Sequence, residues 1–141
     1  MNIKSIALSC AVLLLAGAAA FAQQQEPQTP EQREKQLYES IQKQVDGYAE
    51  SLDLEDWQVF YADSILTANF GSLAREFEQL GRNKVSDTDV YSRLQDDCME
   101  KNYNAFRKIL SDAQWAKYLK TGAARDKKAG DKRAAKRAKQ L

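Results

Sequence analysis

Two groups of acidic side chains, Asp53 with Glu55 and Asp56, and Asp96 with Asp97 and Glu100, have the type and spacing that could do chemistry. Clustered carboxylates attract a hard cation such as calcium, or act as an acid and base across a glycosidic bond. Neither group has the loop pattern of an EF-hand, and on helices such acids usually form a solvated face or bias a helix start. The chain has no histidine, which removes the commonest general base and the commonest transition-metal ligand together. It has no glycine-rich phosphate loop either. The sequence therefore predicts no enzyme active site, no metal and no cofactor.

Sulfur offers little more. Cys98 is in line with Val90 and Leu94 at helical spacing, which favours a small buried apolar residue over a thiol that joins two chains. The remaining candidate chemistry is electrostatic. Residues 120–141 hold nine of the 21 basic residues and two of the 20 acidic ones, so a cationic tail follows an acidic body. Lys127, Lys128, Lys132, Arg133, Lys136 and Arg137 are its candidate partner-binding residues, towards anionic lipid, lipopolysaccharide or an acidic partner. Such a tail binds nucleic acid in vitro, but export makes that contact irrelevant in vivo. Folding back onto the acidic body is a third use for it.

Export is read from the N-terminus. Lys4 precedes an apolar run from Ile6 to Phe21 that ends in Ala20-Phe21-Ala22, the pattern of a signal peptide cleaved after Ala22. Cys10 lies inside that run rather than after it, so no lipoprotein is expected. The predicted location is the periplasm, and the mature chain is the size of one domain.

Periodicity assigns the elements that position these residues. After a flexible polar leader (residues 23–30), Thr29, Pro30 and Gln32 mark a helix start, and Leu37, Ile41, Val45, Tyr48 and Leu52 share one helical face. A second stripe runs through Leu54, Trp57, Tyr61, Ile65, Ala68, Phe77 and Leu80 to Gly81, a candidate C-terminal cap, with Gly71 marking a bend or a close helix contact. Ser86, with Asp89 three positions on, restarts the pattern. Val90, Leu94, Cys98, Ala105, Phe106 and Ile109 form the third face, and a short fourth helix follows Ser111. The expected fold is all-α: a four-helix antiparallel hairpin or open curved bundle over residues 31–122, with helices at about 30–51, 54–80, 87–109 and 112–121. A disordered or helical basic tail completes it at 123–141. Dimerisation is the expected way to cover what so thin a core leaves exposed.

The two tryptophans stand in matching contexts, Leu52-Asp53-Leu54-Glu55-Asp56-Trp57 and Leu110-Ser111-Asp112-Ala113-Gln114-Trp115. Each reads as a capping box with a hydrophobic staple. Asp53 or Ser111 is the N-cap, Asp56 or Gln114 its partner, and Leu52 with Trp57 or Leu110 with Trp115 the staple. The structural use of these residues is to fix where two helices begin. Leu110-Ser111-Asp112-Ala113-Gln114, with a degraded copy at Leu54-Glu55-Asp56-Trp57-Gln58, resembles the Spy/CpxP family of periplasmic stress proteins, whose hallmark is two LTxxQ motifs at helix starts. The resemblance implies a curved four-helix dimer that shields unfolded clients, or modulates an envelope-stress pathway, without ATP. The acidic body departs from the basic concave face of the family's chaperones. Phe60 and Phe70, off the main stripe, are the candidate apolar contacts for unfolded or envelope proteins; core packing around a wide apolar face is the other reading of the same two residues.

Overall fold

The structure is a computed structural model in which residues 28–139 are described. The predicted signal peptide, its cleavage after Ala22, and Cys10 lie outside the described residues. Residues Glu34–Leu141 form one compact unit; of the other, Met1–Arg33, only the short piece from Gln28 is described. Among the described residues five α-helices follow in order: α1 (Pro30–Leu52), α2 (Asp56–Arg82), α3 (Thr88–Ile109), α4 (Asp112–Tyr118) and α5 (Ala124–Ala138). The fold is all-α, with no strand among the described residues. No described helix is long and apolar enough to cross a membrane.

Each boundary has a local cause. At the start of α1 the Thr29 amide donates to Oε1 of Gln32 at 2.8 Å, and the Gln32 amide returns to Oγ1 of Thr29 at 3.2 Å. The helix stops because Asp53 turns left-handed at φ 53°, which lets the Leu54 amide reach back to the Ala49 carbonyl at 3.1 Å. The end of α2 repeats this device. Lys84 takes φ 53°, and the amides of Lys84 and Val85 close onto the carbonyls of Gly81 and Leu80. Gly81 therefore sits inside the last turn and is not the cap. The cap of α3 is Asp87, whose carboxylate accepts from the Asp89 amide at 2.9 Å, rather than Ser86.

Antiparallel packing of α1, α2 and α3 buries Ile41, Val45 and Leu52 from α1, Ala62 and Leu66 from α2, Phe106 from α3 and Leu110 just beyond it. Tyr118 of α4 closes this core by stacking on Phe106, ring centroids 5.1 Å apart, while Tyr48 meets both rings edge-on. Burial of each such side chain contributes roughly 1.5–3 kcal/mol. Cys98 is buried too, and burial pushes its thiol pKa up, so the sulfur behaves as a small apolar group.

Gly71 neither breaks nor caps α2, which runs unbroken through it; an added Cβ would meet only the Arg75 guanidinium, at 3.6 Å. The glycine that changes the path is Gly122. At φ 110° it lies in the widened turn Leu119–Ala123 and redirects the chain into α5. There the tail is a 15-residue helix lying antiparallel along α3, where periodicity alone required no packing.

Candidate functional site

The junction between the starts of α2 and α4 is built from two glutamines. Each is the third residue of its helix, and each accepts a hydrogen bond from the backbone of its own N-cap: Glu55 N–H to Gln58 at 2.9 Å, and Ser111 N–H to Gln114 at 3.0 Å. The two side-chain amides then exchange a pair of hydrogen bonds at 2.8 and 2.9 Å. The second N–H of each donates to a backbone carbonyl of the other junction, Gln58 to Ile109 at 2.7 Å and Gln114 to Asp53 at 3.1 Å. Both carbonyls lie two residues before a helix cap, so the arrangement has an approximate two-fold symmetry in chemistry. Every donor of both amides is used, which is the condition for burying Gln58 at 3 % exposure. Lys117, paired with Asp53, adds an ionic tie across the same junction.

This corrects the frame of the first motif. Asp53 is the left-handed residue that ends α1, not an N-cap; Glu55 is the N-cap and Asp56 the exposed first residue of α2. Gln58 takes the partner position assigned to Asp56, and Val59 stands where a staple to the preceding Leu54 would form, so Leu52 with Trp57 is not the staple. Leu52 is a core residue with no exposure. Ser111, Gln114, Leu110 and Trp115 occupy the cap, third, preceding and fourth positions at α4, and Ser111 Oγ accepts from the Gln114 amide. The two copies are equivalent through their glutamines, and the tryptophans are not equivalent. Trp115 is packed against the core between Tyr103 and Tyr118, whereas Trp57 is 49 % exposed, its indole N–H on Glu55 at 2.8 Å.

Burial of Gln58 also fixes the rotation of α2. The inward face runs Gln58, Ala62, Leu66; of the stripe expected in the core, Leu54 and Ile65 pack against it and Phe77 and Leu80 are partly buried, whereas Trp57, Tyr61 and Ala68 face outward. Phe60 joins it at 67 % exposure; Tyr61 packs edge-on against both Phe60 and Trp57. Phe70, by contrast, is partly buried against the core and is not a free contact. From Trp57 to Ala74 the only charged residue is Asp63, and Gln42 of α1 holds it at 2.5 Å. The outward face thus combines three aromatic rings with Ser64, Thr67 and Ala68, with charge only at its start, at Glu55 and Asp56. Beside it lies a shallow groove of about 590 Å³ lined by Ser64, Ile65 and Ala68 from α2 and Asn104 and Lys108 from α3.

The basic candidates divide into two sets. Arg133 makes a bidentate contact with Asp96 at 2.6–3.1 Å; Arg137 bridges Asp89, Asp96 and Ser92 at 3.0–3.1 Å; Lys127 approaches Glu100 at 3.6 Å and lies over the Tyr103 ring. The Arg133 guanidinium, with help from Arg137, holds the Asp96 carboxyl below its ordinary pKa despite some desolvation, and Arg137 with Arg93 does the same for Asp89. The second set, Lys128, Lys132 and Lys136, points to solvent without an ion pair among the described residues. Among the described residues no three acidic or cysteine side chains converge to hold a metal. Asp53 is tied to Lys117, Asp96 to the two arginines and Glu100 to Lys127.

No family model, no curated protein and no solved structure matches this chain.

Proposed function

We propose that this protein is a non-enzymatic binding protein of the Spy/CpxP-like kind, exported to the periplasm, that grips unfolded or envelope proteins without ATP as a chaperone or stress adaptor. The observation that carries the reading is the aromatic face of α2, where Trp57, Phe60 and Tyr61 are 49 %, 67 % and 50 % exposed. A soluble chain rarely leaves three adjacent large rings in water unless something covers them. Aromatic groups next to small and polar ones can accept many apolar segments without demanding one sequence, the property a client-binding surface needs. The glutamine junction supports the same reading. Its two pentads, Leu54 to Gln58 and Leu110 to Gln114, come into register through the residue that the LTxxQ pattern specifies.

The test is suppression of aggregation of a chemically denatured client diluted into buffer without nucleotide. Wild-type protein at stoichiometric amounts is expected to reduce light scattering, and Phe60→Ser with Tyr61→Ser to lose most of that effect while keeping its helical circular dichroism. Absence of suppression by the wild type at several-fold molar excess would overturn the reading.

A further inference from the structure

The tail is a helix with two chemically different edges, and only one is used inside the fold. At 100° per residue, Lys127, Arg133 and Arg137 lie on the arc that faces α3, where their charges meet Glu100, Asp96 and Asp89. Gly130 sits on the same arc, with Asp96 3.8 Å from where its Cβ would be. Arg125, Lys128, Lys132, Lys136 and Lys139 fall within an arc of about 80° on the outer side, spread over about 21 Å of helix. All five are exposed. Of these, only Arg125 has an acidic partner among the described residues, its neighbour Asp126.

We propose that this outer row is a docking edge for an anionic phospholipid surface, with α3 holding the row in position. Five cations along one edge of a straight helix form a line that can touch a flat array of phosphates simultaneously. Four of the five are lysines, whose long stems and point charges suit a fluid headgroup layer better than a fixed bidentate site. α5 contains no aromatic and no large aliphatic residue, so it offers no aromatic platform for nucleic-acid bases and nothing to fill an apolar pocket of a protein partner. It also has nothing to insert into the hydrocarbon, so attachment is peripheral and governed by charge. The pairing of Arg133 and Arg137 with α3 fixes the rotation of α5, which leaves Asp126 on the α3-facing arc and Asp131, paired with Lys127, about 100° around the helix from the middle of the row. This inference concerns a different surface from the aromatic face of α2 and does not depend on client binding.

The experiment is co-sedimentation of the full chain with vesicles of phosphatidylglycerol and phosphatidylcholine, with phosphatidylcholine alone as the neutral probe. The wild type is expected to bind the mixed vesicles only, and to be released as sodium chloride is raised towards about 0.5 M, where screening shortens to a few ångströms. A variant carrying Lys128→Gln, Lys132→Gln, Lys136→Gln and Lys139→Gln should bind about a hundredfold or more weakly. A charge-matched control, Lys43→Gln, Lys84→Gln, Lys101→Gln and Lys108→Gln, all exposed, should keep most of its affinity. Equal loss in both variants would show a net-charge effect and overturn the proposal. So would tighter binding of a duplex oligonucleotide than of the mixed vesicles at the same salt.

Discussion

Gln58 and Gln114, 56 residues apart in sequence, hold each other's side-chain amide through two hydrogen bonds, and that pairing determines which face of α2 meets the core. With Gln58 turned inward, Ala62 and Leu66 follow it on successive turns, and Trp57, Phe60 and Tyr61 must point to water. The candidate binding face is thus a geometric consequence of the junction.

Gln114→Ala removes both amide bonds and leaves one N–H of the buried Gln58 without a partner. An unpaired buried group costs about 1–3 kcal/mol, so the variant should lose roughly that much stability in urea unfolding. Because the two residues act as one unit, the pair Gln58→Ala and Gln114→Ala should cost at least about 1 kcal/mol less than the sum of the singles. Additive losses would mean that the amides do not interact.

Phe60→Ala and Phe70→Ala separate surface from core. Phe60, 67 % exposed, should change stability by no more than about 0.5 kcal/mol. Phe70, packed against the core, should cost about 1–3 kcal/mol, read as a lower thermal midpoint.

The two informative glycines should respond in opposite directions. Gly71→Ala adds a methyl group to an unbroken helix where only a flexible guanidinium is near, and should stabilise by up to about 1 kcal/mol. Gly122→Ala forces a side chain into the left-handed region and should destabilise by about 1–2 kcal/mol. Thermal melts of both variants check the sign.

Docking of α5 should weaken in acid. The folded-state pKa values of Asp96 and Asp89 are depressed, first by hydrogen bonds from Arg133 and Arg137 respectively, so their contribution is complete above the ordinary carboxylate value, about pH 4. It is lost as the pH falls below that, through the depressed values. The pairs are largely exposed and therefore individually weak. Amide exchange of residues 124–138, corrected for intrinsic rate, should show a several-fold loss of protection between about pH 6 and pH 3, with α1 and α2 still protected. Unchanged protection would mean that apolar contact, not charge, holds the tail.

The sequence made α1 legible because its apolar residues lie on one face, and Ile41, Val45 and Leu52 are buried as their spacing implies. In the α2 stripe it placed Leu54 and Ile65 correctly and Trp57, Tyr61 and Ala68 wrongly, for a physical reason. Apolar periodicity counts a glutamine as solvent-facing and cannot see that Gln58, with both amide donors satisfied, turns inward. Ser111 and Gln114 were readable because serine is a strong N-cap; Glu55 is a poor one, and the better-looking Asp53 drew the start of α2 forward. The acidic partners of the tail were present in the sequence at Asp89 and Asp96, but nothing local links them to residues some forty positions later.

The most direct measurement of the central claim uses the two tryptophans as reporters. Trp115→Phe leaves only the exposed Trp57, and Trp57→Phe leaves only the core-packed Trp115. On addition of an unfolded client, the Trp57 emission should shift to the blue as the α2 face is covered, while Trp115 emission stays where it was. A client that is held in solution with Trp57 emission unmoved would contradict the account.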